Sequence, residues 1–511
     1  MFKNIRSKKT INHELDFEVP EYSDDSDNSD ESDNSDNDNN DNDSDNDNNV
    51  NNDNSDSNYV YSDNDCQKKL FKLVGKDKFK FCNGKLWIFN DETGIFENNN
   101  RIIFRYLERY TEHFDRIVSK DKKGNIKTKN YATNEALRKK IIFPIKINSE
   151  DDKWMSRTQM SSLGYLLFED GIYNFKTGTF TKGFDPNIVF KFSVPWKFPK
   201  YDKDLIEKAY NLSFGSLFDD PKPMITSLAC ALAGKINLKK MYFCPGKMNS
   251  GKSILVKMLQ YCFGSYIGIF HGEELLYRKN DKRKKSSRMG WAYTNKDTRI
   301  MISNFMPTNA SLDRDIIKNF VSGYEIVFYT KGWSQECFTP SFTIFCVSND
   351  IPEIEPHDEA ISDRLVYHEF PYVFVKEEDL NKKPYNKLRD NDLDSKFETE
   401  DFVNGFIHIL LDAYKDYLEN DLPKFDNKVK EKWTVKSKQI DKVITIIKEH
   451  YEITNNDKDI IQTNEIHKFK NQHKELKDIS LNRFYEILEE KLKLINGRSA
   501  SSRFWKGLKR K

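Results

Sequence analysis

The chain has 511 residues, 82 Lys and Arg against 81 Asp and Glu, and 37% hydrophobic residues, a length that exceeds one ordinary domain and suits roughly two to four. It contains no run of roughly 18 apolar residues, which excludes a membrane-spanning helix, and its N-terminus MFKNIRSKKTINHELDF lacks the apolar core of a secretory signal. Its seven cysteines form no CxxC pair and no zinc-finger spacing, so they are expected as reduced thiols in an intracellular compartment rather than as a disulfide or zinc framework.

The near-neutral balance hides two regions of opposite sign. Residues 14–65 carry 20 acids and no Lys or Arg, which leaves residues 66–511 with 78 basic against 61 acidic side chains. A basic folded part favours a polyanionic partner, although Lys spread over exposed faces would give the same count. Residues 21–58 are almost all Asp, Asn and Ser. A segment with no apolar side chains to bury cannot offset its ordering entropy, so residues 1–65 are expected as a disordered acidic tail. It serves either as a solvating tail or as a mimic of DNA occupying a basic groove.

Order is expected from about Leu70. FKFCNGKLWIFNDETGIFENN alternates apolar and polar residues around NG and TG turns, which predicts a β-meander, and RIIFRYLERYTEHF continues with helical periodicity. GYLLFEDGIYNFKTGTFTKG repeats the strand-and-turn pattern, so residues 66–205 form an α+β domain that leads into helices near 204–236. From Lys239 short apolar strands (KMYFC, TRIMIS, SFTIFCVSN) alternate with helices (SILVKMLQYCFG, LDRDIIKNFVSG). That alternation predicts a mostly parallel sheet covered on both faces, spanning 206–375. Residues 376–430 are expected as a polar helical connector. Residues 431–511 form a basic module with helix, turn, helix and a short aromatic β-wing. The last 21 residues hold eight Lys and Arg, no acid, and Phe504 and Trp505; they suit phosphate contact and base stacking, or form a solvated terminus.

In MYFCPGKMNSGKSILVKML, Gly246, Gly251, Lys252 and Ser253 fit GxxxxGK[ST], with an apolar strand before and an amphipathic helix after. Glycine lets the backbone of Gly246, Lys247, Met248, Asn249, Ser250 and Gly251 wrap phosphates with its N–H groups inward. Lys252 adds a point charge, and Ser253 is the expected Mg²⁺ ligand of an ATP site. SFTIFCVSND ends an apolar strand on Ser348, Asn349 and Asp350, so Asn349 is placed to orient an attacking water. Arg364 in ISDRLVYHEF precedes another strand, where an arginine could reach the nucleotide of a neighbouring subunit.

GKMNSGKS, IKNFVSGYEI, FTPSFTIFCVSNDIPEI and HDEAISDRLVYHEFPY, in this order, resemble the superfamily 3 helicases of the poxvirus and giant-virus helicase-primase type. Phage and plasmid replication primases share these motifs. LLFEDGIYNFKTGTFTKGFDPN is similar to the strand-turn of the domain that precedes the helicase in that family, so the resemblance covers about residues 80–375. It implies a multidomain α/β protein with an AAA+ P-loop ATPase core, assembling as a homo-hexamer and moving on single-stranded and forked DNA. It further implies Lys252 and Ser253 on ATP and Mg²⁺, Asn349 as phosphate sensor and Arg364 as a finger acting in trans. YEIVFYTKGWSQECF would be the channel hairpin, with Lys331 and Trp333 near its tip on DNA. The site of action would be the cytoplasmic or nuclear place of viral DNA replication.

Four positions depart from the family pattern. RIMISNFM offers Asn304, or Phe305 with a one-residue slip, where the family keeps its Walker B acid; asparagine would hold Mg²⁺ poorly and could not polarise water. Met248 replaces the second glycine of the loop, Tyr324 (or Glu325) the acid after Ser322 and Gly323, and Asp363 the first Arg of an Arg pair. Glu273, Glu274, Asp313 or Asp315 could supply a displaced acid. No primase-like carboxylate strands precede residue 66, so priming would need a separate protein. The sequence therefore supports an ATP-hydrolysing helicase, with an ATP- and DNA-binding structural subunit of a replication complex as the alternative.

Overall fold

The computed structural model describes residues 59–277, 288–303, 306, 311–329, 335–349, 353–355, 363–421, 440–454, 456–477, 479–498 and 502–511. All belong to one compact unit, Asn58–Lys511, and the acidic stretch 21–58 lies outside them. Described structure begins earlier than Leu70. Tyr59–Val60 pairs in parallel with Asp115–Lys120, and the helix Asp63–Val74 starts on Ser62, whose hydroxyl accepts from Asp65 N. The reason is the apolar set Val60, Cys66, Leu70 and Val74, which is buried together with the helix Arg101–Arg109. The expected meander is present as Phe79–Cys82, Lys85–Asn90 and Ile95–Glu97, and the second one as Tyr165–Phe168, Gly171–Asn174 and Thr179–Lys182.

The centre is a five-stranded sheet built from β1 (Met241–Pro245), β2 (Ile267–Phe270), β3 (Ile300–Ser303), β4 (Thr343–Ser348) and β5 (Leu365–Tyr367) in the order β2-β3-β4-β1-β5. Every neighbouring pair is parallel. Alternate residues feed two cores, as continuous apolar strands require. Tyr242, Cys244, Ile300, Ile302 and Phe345 pack with helix α1 (Lys252–Phe263) and the helix Lys222–Leu232 on one face. Phe243, Met301, Ile344 and Cys346 pack on the other face with helix α2 (Arg314–Ser322). The mixed α/β architecture agrees with the sequence expectation.

Helix α3 (Glu400–Asn420), wholly inside the stretch expected as a connector, belongs to the first core through Phe402, Phe406, Leu410 and Tyr414. Its approach to the helix Lys203–Leu212 depends on Gly405, where a Cβ would lie 2.2 Å from the carbonyl oxygen of Leu205 and 2.8 Å from Ala209 Cβ. Backbone cannot yield there, so Gly405→Val is expected to cost about 2–3 kcal/mol or more, read as a lowered thermal midpoint. The upstream meander is tied to the sheet by Tyr266, whose hydroxyl accepts from Leu167 N (3.2 Å) and donates to Phe192 O (3.3 Å). The fully buried Arg299 adds a bond from its guanidinium to Ser162 O at 2.8 Å.

The C-terminal module has its own core, with helices α4 (Thr463–Gln472) and α5 (Leu481–Glu490) packed on a sheet of β6 (Ile460–Gln462), β7 (Ile495–Arg498) and β8 (Arg503–Lys506) in the order β6-β8-β7. Trp505, offered by the sequence for base stacking, is fully buried in that core. Strand alternation explains this: residues 504 and 505 must face opposite sides. No described helix is long and apolar enough to cross a membrane.

Candidate functional site

The turn after β1 is shaped by three residues. Gly246 leaves no space for a side chain, since a Cβ would meet Ser250 Oγ at 2.6 Å and Phe370 Cβ at 2.7 Å. Asn249 (φ 61°) and Gly251 (φ 88°) are both left-handed, and a Cβ at Gly251 would lie 2.2 Å from Leu217 Cδ2. Only glycine fits that last position without strain. The turn is pinned at each side: Gly246 N donates to Ser348 O at 3.1 Å, and Phe374 N donates to Asn249 O at 2.8 Å. Ser250 is buried inside it, whereas Met248 is 76% exposed.

Helix α1 begins immediately after Gly251, and no side chain caps its first N–H groups. Lys252 folds back over the turn and donates to Gly246 O, to Lys247 O at 2.7 Å and to Ser250 Oγ at 3.0 Å. Partial burial pulls its pKa down from the ordinary lysine value. Ser253 is exposed at the same helix end. Backbone N–H groups, an ammonium and a hydroxyl thus converge at one helix N-terminus, which is the donor set of an anion site. Among the described residues no group of three or more His, Cys, Asp or Glu is arranged to hold a metal.

A cleft of about 550 Å³ opens over this turn and is lined by Lys252, Ser253, Asn349, Phe374, Leu217 and Arg389 among others. Asn349 follows the last residue of β4, the strand directly beside β1, so the sheet brings it to the same carboxyl edge as Lys252. Behind the turn strand, His368 packs flat on Tyr242 (centroids 5.5 Å apart) and its Nε2 lies 2.9 Å from Ser227 Oγ. Burial pushes its pKa down to about 3, so it stays neutral.

The second wall of the cleft comes from the last residues of the expected 206–375 domain and from residues 386–394, which sequence reasoning assigned to the connector 376–430. Val373–Val375 and Asn386–Leu388 pair in parallel and strap the turn. Lys247 Nζ lies 3.8 Å from the centre of the Tyr385 ring, and Lys387 Nζ donates to Ser216 O at 2.8 Å. Arg389, exposed, and Asp390 and Asp394 face the cleft from here. Both acids are paired, Asp390 with Lys396 and Asp394 with Lys257 at 3.2 Å. Val373–Val375 falls inside the expected 206–375 domain, whereas its parallel partner Asn386–Leu388 falls in the expected connector.

Arg364 lies elsewhere. Its carbonyl accepts from Met241 N at 3.0 Å, so it stands at the amino end of the sheet, beside Lys240, whose ammonium donates to Asp363 O at 2.9 Å. The five residues of β1 span about 16 Å, which separates Arg364 from its own turn by more than its side chain can reach. Asn304, Phe305, Lys331 and Trp333 lie outside the described residues. β3 ends at Ser303, whose hydroxyl accepts from Val347 N at 2.8 Å. The strands Ile326–Tyr329 and Gln335–Phe338 form the expected antiparallel hairpin around residues 330–334.

The four displaced acids do not reach the cleft. Asp313 is buried, caps α2 by accepting from Asp315 N (3.0 Å) and Ile316 N (3.4 Å), and lies 3.8 Å from the buried Arg288. Asp315 accepts from Arg314. Glu273 and Glu274 follow β2 and their carbonyls accept from Arg288. None of the four lines the cleft beside Lys252.

No family model matches the chain. Over all 511 residues it is 62% identical to "Putative helicase V13" of Sputnik virophage, of which it covers 61%. Over 340 residues, 64% of the chain, it is 22% identical to "Putative helicase L207/L206" of Acanthamoeba polyphaga mimivirus, of which it covers 34%. The chain therefore spans about three fifths of the first relative and about a third of the second. Among solved structures, two apo forms of the NrS-1 C-terminal region are similar at 12% identity, with TM-scores of 0.30 and 0.31 over 60% of this chain and 75% and 76% of theirs.

Proposed function

We propose that this chain is an ATP-dependent DNA helicase of the superfamily 3 type, acting in viral DNA replication. The observation that carries the reading is one cleft at the carboxyl edge of a parallel sheet that joins the uncapped helix at Lys252 and Ser253 with Asn349 from the adjacent strand. A triphosphate fits this donor set. ATP would sit with its phosphates over Gly246 to Ser253 and its base toward Leu217, Phe374 and Arg389, and Ser253 would ligate Mg²⁺. Bound Mg²⁺ supplies charge neutralisation on the outer phosphates. Asn349 would hold the attacking water in line. The helicase names of the two viral relatives support the same activity.

In this reading the chain forms a ring, commonly a hexamer, around single-stranded DNA at a fork. Arg364 completes the neighbour's site, and Lys331 and Trp333 touch the strand in the channel. The place of action is the viral replication site, cytoplasmic or nuclear.

A second reading, a subunit that holds ATP and DNA without hydrolysis, is favoured by two facts: the acids lining the cleft among the described residues are already ion-paired, and Asn304 stands where a catalytic acid is expected. Hydrolysis by the full chain, with and without single-stranded DNA and beside Asn304→Glu, separates the two. DNA-stimulated turnover by the unaltered chain supports the helicase. ATP binding without turnover, raised by about 10²-fold in Asn304→Glu, supports the structural subunit.

A further inference from the structure

The crest of the turn after β1, Lys247 to Asn249, is exposed, and the strap of residues 373–394 holds it at two points. Phe374 N donates to Asn249 O at 2.8 Å. That bond steadies a residue in the left-handed region (φ 61°), which asparagine tolerates better than most side chains but not without cost. The second point is the ammonium of Lys247, which lies over the Tyr385 ring, 3.8 Å from its centre. The two points are joined to each other, because Val373 N donates to Tyr385 O at 3.0 Å. Among the described residues, Lys247 and Asn249 reach beyond the turn only to this strap.

The strap is anchored independently of the crest. Just before it, Phe370 N donates to Pro245 O at 2.8 Å. Lys387 Nζ lies 3.3 Å from the centre of the Tyr372 ring and donates to Ser216 O, and the Tyr372 hydroxyl donates to Asp219. Asn386 Nδ2 donates to Asp379 O at 2.7 Å, and Arg389 N to Val375 O at 2.8 Å. Tyr385 is thus presented to the turn by a frame that is bonded on both sides. Within the turn, the tie across the crest is Lys252, whose ammonium bridges Gly246 O, Lys247 O and Ser250 Oγ. A triphosphate draws that ammonium onto itself, and the crest then keeps its N–H groups aimed at the phosphates only if it is held from outside.

We propose that Tyr385 is a positioning residue of the phosphate site: its ring holds the Lys247 ammonium and so keeps residues 247–249 in their cradling conformation when Lys252 turns to the nucleotide. The assignment rests on the reading of the cleft as a nucleotide site. Lys247 is then no phosphate ligand, although it stands in the turn and carries the right charge; its charge is used on an aromatic ring of the strap. A loop set in its bound conformation beforehand loses less entropy when the ligand arrives, and that gain appears in affinity.

The test is calorimetric titration of the full chain with a non-hydrolysable ATP analogue and, separately, with inorganic tripolyphosphate, which has no base to reach the apolar wall of the cleft. Tyr385→Leu is expected to weaken both about three- to fivefold, the size of one exposed cation–ring contact, and to leave the thermal midpoint without nucleotide unaltered. Lys247→Gln is expected to give the same loss, and the double variant no more than either alone, because each removes one shared contact. Tyr385→Phe keeps the ring and is expected to keep affinity within about twofold. Unchanged or tighter binding in Tyr385→Leu overturns the proposal. So do losses that add in the double variant, which would make Lys247 a phosphate ligand in its own right, and a loss confined to the ATP analogue, which would place Tyr385 on the base. A lowered midpoint with a loss shared by Tyr385→Phe marks a structural role and overturns it as well. Lys252→Ala, titrated alongside, separates this assignment from the reading beneath it. If Lys252→Ala loses the analogue and Tyr385→Leu does not, only the role of Tyr385 falls; if Lys252→Ala binds the analogue as before, the turn is not the phosphate site and both fall.

Discussion

Lys252→Ala is expected to lower ATP turnover by at least about 10³-fold. In the structure its ammonium already spans three oxygens of the turn, Gly246 O, Lys247 O and Ser250 Oγ, so it sits where the outer phosphates of a bound triphosphate would displace it from protein acceptors. A cation placed on a transferring phosphoryl group stabilises charge that the reaction develops, in a cleft where partial burial strengthens the field. Lys252→Met, which keeps the stem and removes the charge, should match the alanine variant. If turnover survives either change, the turn after β1 is not the phosphate site. The loss should appear in affinity as well, because a charge-assisted contact contributes about 1.5–3 kcal/mol; calorimetric titration with a non-hydrolysable ATP analogue reads this separately. The fold should persist in both variants, since Lys252 belongs to neither sheet core.

Much of the site was legible because its residues are fixed by local backbone needs. The spacing of Gly246, Gly251 and Lys252 encodes a left-handed turn before a helix, and each constraint recurs in the structure as a missing space or a positive φ. Alternating apolar strands announced the parallel sheet for the same reason, since burial on both faces leaves no polar positions. The strap of residues 373–394 was not legible: its role comes from Phe374 N meeting Asn249 O and Lys387 meeting Ser216, contacts between segments far apart in the chain. The helix at Glu400 was read as part of a connector because its C-terminal half is charged, whereas Gly405 and Phe406 place its first half in the core. Phe504 and Trp505 were indistinguishable as residue types; only the register of the strand decides which one is outside.

The largest effect is expected at Arg364, and it is a property of two chains rather than one. Arg364 stands at the amino end of the sheet while its own Lys252 stands at the carboxyl end, so a direct role in catalysis requires a second copy whose cleft faces it. Arg364→Ala should then lower turnover by about 10³-fold or more while leaving ATP affinity close to unaltered, because the finger acts on transition-state charge. Mixing settles the geometry. Lys252→Ala chains and Arg364→Ala chains are each inactive, yet an equal mixture places an intact Lys252 against an intact Arg364 at about a quarter of the contacts between head-to-tail neighbours. Recovery of roughly that share of the activity, lost again on dilution below the assembly concentration, would mean that the finger works in trans. An inactive mixture, with Arg364→Ala still inactive alone and assembly intact by light scattering, would confine Arg364 to holding the subunit contact. Activity retained by Arg364→Ala alone would remove it from the reaction, and with it the reason for the chain to form a ring.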